Sequence, residues 1–491
     1  MYIITLNTAK FEYDIHSLVK AFYPEETVKV ITPETDAFKA DGYRAQAAWQ
    51  GSIMLGEQEI RVALPEQKRA DLHISSQAVL PGTVFLGAEY KDLLKSLLYR
   101  SLCEVTGKKL PWGNLIGIRP TKIAMQRLEE GVSDQEILNF YKEKHSVSDA
   151  KAALALDIAK RERRILSRLH YENGYSLYIG IPFCPTTCLY CSFTSYPIAS
   201  FRQKVDRYID CLIRELDFTA QACKDKILDT VYIGGGTPTT LEPVQMDRLL
   251  TALEDRLDLS HLQEFTVEAG RADSITEAKL QVLKKHGVTR ISVNPQTMQQ
   301  ETLDFIGRRH TVEQVYEAYH LARKLGFDNI NMDLILGLPG EDEAAVTDTI
   351  EKVKALSPDS LTVHSLAIKK ASRLAKWIEK NDRAALKNTD ETMAIAAAGA
   401  QALSMQPYYL YRQKNMAGSF ENVGYAREGR YGIYNILIME ELQTIVALGA
   451  GTITKAVFDG GRIERCDCVK EVDMYMDEID EMIERKRRLL Q

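Results

Sequence analysis

The chain has 491 residues, more than one hydrophobic core usually supports, so two or three domains are expected. Hydrophobic residues at 45% and charged residues at 26% are ordinary for a globular protein, and a formal net charge of −6 argues against nucleic acid as a partner. No stretch is apolar and long enough to span a bilayer, and MYIITLNTAKFEYDIHSL has neither a basic nor a long apolar region. A cytoplasmic location with no membrane partner is therefore expected.

Residues 1–90 are expected to form a small α+β domain whose legible elements are strands. VKVIT (28–32), QAAWQGSIML (46–55) and EIRVALP (59–65) have strand character, with a hairpin at Gly56-Glu57. Residues 91–170 read as a helical connector, because EYKDLLKSLLYRSLCEVTG and DAKAALALDIAKRERRILSRL place apolar residues at three-to-four spacing. Between them PWGNLIGIRPTK is a loop punctuated by Gly and Pro that carries Arg119 and Lys122.

The pattern changes over residues 171–370. Six strand candidates alternate with amphipathic helices: SLYIGIPF (176–183), TVYIGGG (230–236), EFTVEAG (264–270), RISVNPQ (290–296), INMDLILGLP (330–339) and SLTVHSLA (360–367). Strands separated by helical stretches mean βαβ units and a parallel sheet, and six units predict an α/β partial barrel rather than a closed one. The motifs below fall at or after strand C-termini, where barrel folds build their sites. Residues 371–491 are expected to be a mixed α/β region that closes the substrate side.

Three of the eight cysteines, Cys184, Cys188 and Cys191, lie in IPFCPTTCLYCSF, directly after the first strand of the repeat. Three thiolates at C-x3-C-x2-C spacing can bind three corners of a cubane iron–sulfur cluster and leave the fourth iron open to a small molecule. A ferredoxin-type site supplies four cysteines, and zinc wants four ligands, often including histidine, which is missing here. Cys103, Cys211 and Cys223 read as small buried hydrophobes, as do Cys466 and Cys468, a C-x-C pair that could otherwise be a metal clip. GGGTP after the second strand lets a ligand approach the backbone closely. Glu268 ends the third strand, and Asp333 stands on a strand otherwise apolar, where a buried carboxylate needs a partner. Tyr178 and Tyr190 flank the cysteine loop, where a ring can stack on an adenine, screen a cluster or pack the core.

The cysteine spacing, with an aromatic before the last cysteine and a βα repeat around it, resembles the radical S-adenosylmethionine (radical SAM) superfamily. Y-x-x-I-P-F-C (178–184), GGGTPTTL (234–241), VEAGR (267–271), VNPQT (293–297), IGRRHT (306–311), MDLILGLPGE (332–341) and HSLA (364–367) follow in order. They are similar to the HemN-like coproporphyrinogen III dehydrogenase group. The long N-terminal extension with its GxRPTK-like loop resembles the HemZ type within that group. The likeness spans residues 170–460. It implies a partial (β/α)6 radical SAM barrel, a [4Fe-4S] cluster on the three cysteines, and two SAM molecules in one pocket. Gly235, Gly236, Thr237 and Glu268 would bind SAM, and Gln296, Arg308 and Asp333 would contact the second one. Tyr178, Tyr190 and Ala367 would complete the cofactor sites, with Tyr190, Glu268 and Asp333 nearest the chemistry.

The reaction implied is cleavage of SAM by the reduced cluster to methionine and a 5′-deoxyadenosyl radical. That radical takes a hydrogen from a propionate of coproporphyrinogen III. Loss of carbon dioxide and one electron then leaves a vinyl group, a step of porphyrin and haem biosynthesis. The implied partners are a tetrapyrrole and an electron donor such as flavodoxin or ferredoxin.

One position departs from this group, which has histidine where the chain has Gly180, so any role of that side chain is lost or relocated. Two further readings follow, a radical SAM methyltransferase that modifies haem and a HemW-like haem chaperone without dehydrogenase turnover. The chaperone group carries H-N-x-x-Y-W, which RQKNMAGSFENVGYAREGRYGIYN (412–435) lacks.

Overall fold

The computed structural model describes residues 2–6, 11–24, 27–32, 34–35, 48–55, 58–64, 88–117, 119–171, 173–369, 372–380, 386–413 and 416–490. The chain divides into two compact units, residues 1–157 with 412–420, and residues 158–411 with 421–491.

In the first unit, β1 (Tyr2–Leu6), β2 (Val28–Ile31), β3 (Ala48–Leu55) and β4 (Gln58–Leu64) form a sheet in the order β2-β1-β4-β3. The antiparallel register of Leu55 with Gln58 brackets the predicted hairpin, whose Gly56 and Glu57 lie outside the described residues. The helix Glu12–Phe22 buries Ile15, Leu18, Val19 and Phe22, one stripe at helical spacing. Helices at Ala88–Thr106, Thr121–Glu129, Asp134–His145 and Asp149–Leu166 follow. The predicted loop is shorter than its sequence implies, because Thr121 and Lys122 already belong to a helix capped by Pro120. Proline's fixed φ suits a helix entrance, so this one starts a helix instead of extending a loop.

In the second unit, eleven strands form one sheet among the described residues. Six of them are β5 (Gly174–Ile181), β8 (Ile227–Gly235), β9 (Glu264–Gly270), β10 (Arg290–Val293), β11 (Ile330–Leu336) and β12 (Ser360–Ser365). They are neighbours in chain order and run parallel. Helices at Val205–Ala222, Pro243–Glu254, Glu277–Lys285, Val312–Lys324 and Glu343–Leu356 link them, which makes the expected partial barrel. Between β5 and β8, the two-residue strands β6 (Phe183–Cys184) and β7 (Tyr196–Pro197) pair at the neck of the cysteine loop.

The C-terminal region extends this sheet at both edges. β13 (Gln406–Tyr411) and β14 (Asn422–Ala426) add antiparallel strands beside β12. β15 (Thr444–Leu448) lies parallel to β5, followed by the antiparallel β16 (Ile453–Phe458) and β17 (Arg462–Asp467). Alternation along β5 buries Leu177, Ile179 and Ile181 completely on one face. Tyr178 and Gly180 fall on the other, inner face, where the motif residues collect. Among the described residues, no helix is long and apolar enough to cross a membrane.

Candidate active site

The cysteine loop leaves the end of β5 and is fastened to several barrel units. Its neck is closed by the pairing of Phe183 with Tyr196 and of Cys184 with Pro197. Leu189 donates its N–H to Ile306 O at 2.8 Å, and Thr186 Oγ1 donates to Gly307 O at 3.0 Å. Arg271, buried at the end of β9, donates Nη1 to Thr186 Oγ1 at 2.7 Å while Asp273 holds its other side at 2.6 Å. Cys184, Cys188 and Cys191 are free thiols. Burial pushes Cys184 up to about 11, against a hydrogen bond from Thr237 Oγ1 at 3.4 Å. Burial raises Cys191 as well.

These residues fit an iron–sulfur cluster. Three soft sulfur donors sit on one anchored loop, close enough to influence one another's ionisation. Among the described residues, no three His, Cys, Asp or Glu side chains converge tightly enough for a single ion. A cubane asks for less convergence, since each thiolate meets a different iron.

The glycines after β8 serve two different purposes. Gly235 has φ +104°, a conformation open to glycine, and its added Cβ would be in ordinary contact with Ile181 and the Tyr178 hydroxyl at 3.4 Å. Gly236 is closed off by the chain itself. A Cβ there would stand 2.6 Å from Phe183 O and 2.9 Å from Ile181 O. The N–H groups of Gly236 and Thr237 bond those two carbonyls at 2.8 and 2.7 Å. Gly236 is therefore a glycine because two backbones touch, a reason different from the ligand approach expected of the whole GGGTP run.

On the inner face, Tyr178 stacks with Tyr232 and Tyr434 at centroid distances of 6.1 and 5.9 Å, and those two rings stack at 4.5 Å. Tyr434 is placed by Glu264, whose Oε2 accepts from Ile433 N and, at 3.1 Å, from Tyr434 N. The carboxylate thus caps a helix, Ile433–Glu440, whose own cap residue Gly432 has no side chain. Tyr232 donates its hydroxyl to Glu268 Oε1 at 2.6 Å. Burial lifts Glu268 to about 7, with the Tyr232 bond opposing and Asp333 adding to the rise.

Arg308 Nη1 donates to the Tyr190 hydroxyl at 3.3 Å. Arg308 is buried and also donates to Asn294 O at 2.6 Å, whereas Arg309 is exposed, so the inward member of the pair is Arg308. Among the described residues, Arg308 Nε and Asn294 Oδ1 are buried with no hydrogen-bond partner, a donor and an acceptor that a polar ligand could satisfy. Gln296 has φ +70°, a strained value for a non-glycine residue, and its N–H reaches Asp333 O at 2.9 Å. Asp333 Oδ1 accepts from Asn331 Nδ2 at 2.7 Å. Ala367 lies two residues past β12 and is half-buried.

The inner face also carries groups that the motif reading passed over, namely Tyr232, Tyr434, Arg271 and His364. The period-two alternation of VYIGGG puts Tyr232 on the face of Gly234, and that of TVHSL puts His364 in line with Thr362. Arg271 ends the VEAGR motif but drew no role there, and Tyr434 left no comparable signal. Of the C-x-C pair, Cys468 Sγ accepts from the buried Lys486 amine at 3.2 Å.

The radical SAM superfamily matches residues 178–353 of the chain. A Bacillus subtilis protein named oxygen-independent coproporphyrinogen-III oxidase-like protein HemZ is 40% identical over 402 residues, 81% of this chain and 80% of that protein. The heme chaperone HemW of Lactococcus lactis is 41% identical over 197 residues, 40% of this chain and 50% of that protein. Among solved structures, coproporphyrinogen III oxidase (HemN) from Escherichia coli, a radical SAM enzyme, has a TM-score of 0.52 at 22% identity, covering 65% of this chain and 73% of that one. At that identity the likeness speaks for the fold. The chain belongs to the radical SAM superfamily and, within it, to the HemZ family.

Proposed function

We propose that the chain is a radical SAM oxidoreductase of the coproporphyrinogen III dehydrogenase type, which converts propionate side chains of a tetrapyrrole to vinyl groups without oxygen. The observation that carries this reading is a chain of contacts in which the Glu268 and Asp333 carboxylates influence each other, Gln296 N–H bonds Asp333 O, and Arg308 reaches Tyr190 of the cysteine loop. The name of the Bacillus subtilis relative, which the chain matches along most of its length, supports the substrate class.

Cys184, Cys188 and Cys191 would hold the [4Fe-4S] cluster that the family implies. That cluster and SAM supply reductive formation of a carbon-centred radical. Gly235 and Thr237, with Glu268, would bind the first SAM, while Tyr190, Gln296, Arg308, Asp333 and Ala367 would line the place of a second. Tyr178 contributes indirectly, since its ring is held in the tyrosine stack and only its hydroxyl approaches Gly235. An electron donor of the flavodoxin or ferredoxin class and a cytoplasmic setting complete the proposal.

A haem-binding role without turnover is the second reading, favoured by the matches to heme chaperones named HemW, which cover half of those proteins' length. One experiment separates them. The anaerobically reconstituted protein is incubated with SAM, a reductant and either coproporphyrinogen III or haem, and the tetrapyrrole products are analysed. Vinyl products from coproporphyrinogen III support the proposal. Unchanged haem bound tightly, with no vinyl product, supports the chaperone, and methylated or opened haem supports a methyltransferase.

A further inference from the structure

Gly180 stands where the resembled group has histidine, and the structure shows what occupies the space. A Cβ built on Gly180 would lie 2.5 Å from Thr452 Cγ2. Thr452 is held in that orientation by its own hydroxyl, which donates to Gly449 O at 2.7 Å and so turns the methyl toward Gly180. Thr452 ends the turn Gly449–Thr452 between β15 and β16, and this turn touches both ends of the cysteine loop. On the near side, an added Cβ at Gly449 would be 2.6 Å from Gly180 O. On the far side, an added Cβ at Gly451 would be 2.8 Å from Thr194 Oγ1, just beyond Cys191.

The turn is in turn locked from behind. Gly449 N donates to Glu215 Oε2 at 2.8 Å, and Ala450 N donates to the Tyr208 hydroxyl at 3.0 Å. That hydroxyl donates onward to Gly180 O at 2.8 Å, so one tyrosine ties the turn to the strand that leads into the loop. Glu215 and Lys486 form an ion pair with no solvent exposure on either side chain. Glu215 Oε2 also accepts from Tyr475 OH at 2.6 Å, and Lys486 reaches Cys468 Sγ at 3.2 Å. Cys468 N returns to Thr452 O at 2.9 Å, and Gly451 N bonds Val469 O at 2.8 Å. A buried pair adds little net stability over an apolar replacement, whereas removing one partner strands a buried charge. Here four of the bonds, from or to Gly449, Ala450, Gly451 and Thr452, end on the one turn.

We propose that the turn Gly449–Thr452 is a positioning element for the cysteine loop, with Thr452 in the place a side chain at position 180 would fill, and with the Glu215–Lys486 pair as its lock. Both stems of the loop rest on the same turn, so the spatial placement of the three thiols follows it. The proposal depends on the reading that this loop carries the cluster and is independent of the tetrapyrrole's identity.

The test uses the full chain, anaerobically reconstituted, and measures iron content, melting temperature, cluster midpoint potential and the SAM concentration that half-saturates 5′-deoxyadenosine formation without tetrapyrrole. Gly180→Ala should keep its iron and melting temperature, shift the potential, and raise the half-saturating SAM about tenfold, the scale of loss expected from a small misplacement. Thr452→Ser removes only the offending methyl and keeps the bond to Gly449. Adding it to Gly180→Ala should restore the half-saturation and the potential to those of Thr452→Ser alone. Wild-type behaviour of Gly180→Ala would overturn the proposal, and so would failure of the second substitution to rescue it. If Gly180→Ala does not fold, Glu215→Gln/Lys486→Met serves instead, with a shifted potential at full iron expected and an unshifted one overturning the proposal. A wild-type protein that takes up no iron would instead sink the cluster reading itself.

Discussion

His364 on β12 stands beside Asp333 on β11, with Nε2 4.0 Å from Oδ2, while its Nδ1 lies 3.5 Å from the Tyr411 hydroxyl. The carboxylate is oriented from the other side by Asn331. The hydroxyls of Ser360 and Thr362 occupy Asn331 Oδ1 at 3.0 and 3.2 Å, so its amide hydrogens must face Asp333. Asp333 thus holds the Asn331 amide on one oxygen and faces the His364 imidazole with the other.

Asp333→Ala should therefore leave iron content and uncoupled 5′-deoxyadenosine formation largely intact. Tetrapyrrole turnover should fall about a hundredfold, the scale seen when a positioning group beside the chemistry is lost. Iron, deoxyadenosine and decarboxylated product measured on one preparation decide the matter. Parallel losses in all three would make Asp333 a structural carboxylate.

Reconstituted protein should hold about four irons per chain, and Cys184→Ala, Cys188→Ala and Cys191→Ala should each lose the cluster. Cys211→Ala should not, since Cys211 is buried in the helix Val205–Ala222 with its thiol at Met476 O. Iron analysis and visible absorbance read the outcome, and full iron in Cys188→Ala would remove the site from this loop.

Gly235→Ala and Gly236→Ala should differ in kind. A Cβ at Gly236 strikes Phe183 O and Ile181 O, so that variant should lose melting temperature and iron together. A Cβ at Gly235 finds ordinary contacts, and the cost is about 1–3 kcal/mol of strain at its positive φ. Gly235→Ala should keep its iron and need more SAM. Identical behaviour of the two would mean that the run is one structural turn.

Glu268 supplies a pH dependence. Its folded value of about 7 lies above the ordinary 4.5, so the folded chain keeps this proton longer than the unfolded chain does. Stability should accordingly fall as pH rises from about 4.5 to 7, because the carboxylate form is the one burial disfavours. Binding runs the other way, since an ionised Glu268 accepts hydrogen bonds from a cationic or hydroxyl-bearing cofactor. SAM affinity should rise through pH 7 in the wild type and stay flat in Glu268→Gln, which equilibrium binding across pH 6–8 would show.

The sequence by itself determined the parallel barrel core and the cysteine loop. Both are local patterns, because each strand of a βαβ series is an apolar run between helices, and C-x3-C-x2-C groups three thiols within eight residues. It also marked Asp333, which breaks an apolar strand, and Glu268 at a strand end, while Gln296 and the arginine pair at 308–309 stood out through the family resemblance alone. Only the tertiary structure decided which of two adjacent arginines turns inward, and that Gly236 is closed by backbone while Gly235 is open. It alone added β15 to the edge beside β5, brought Tyr434 onto Tyr178, and set Thr452 against Gly180. These pairings join residues hundreds of positions apart. Neither partner carries a mark of the other in its neighbours, so packing, rather than local pattern, had to choose them.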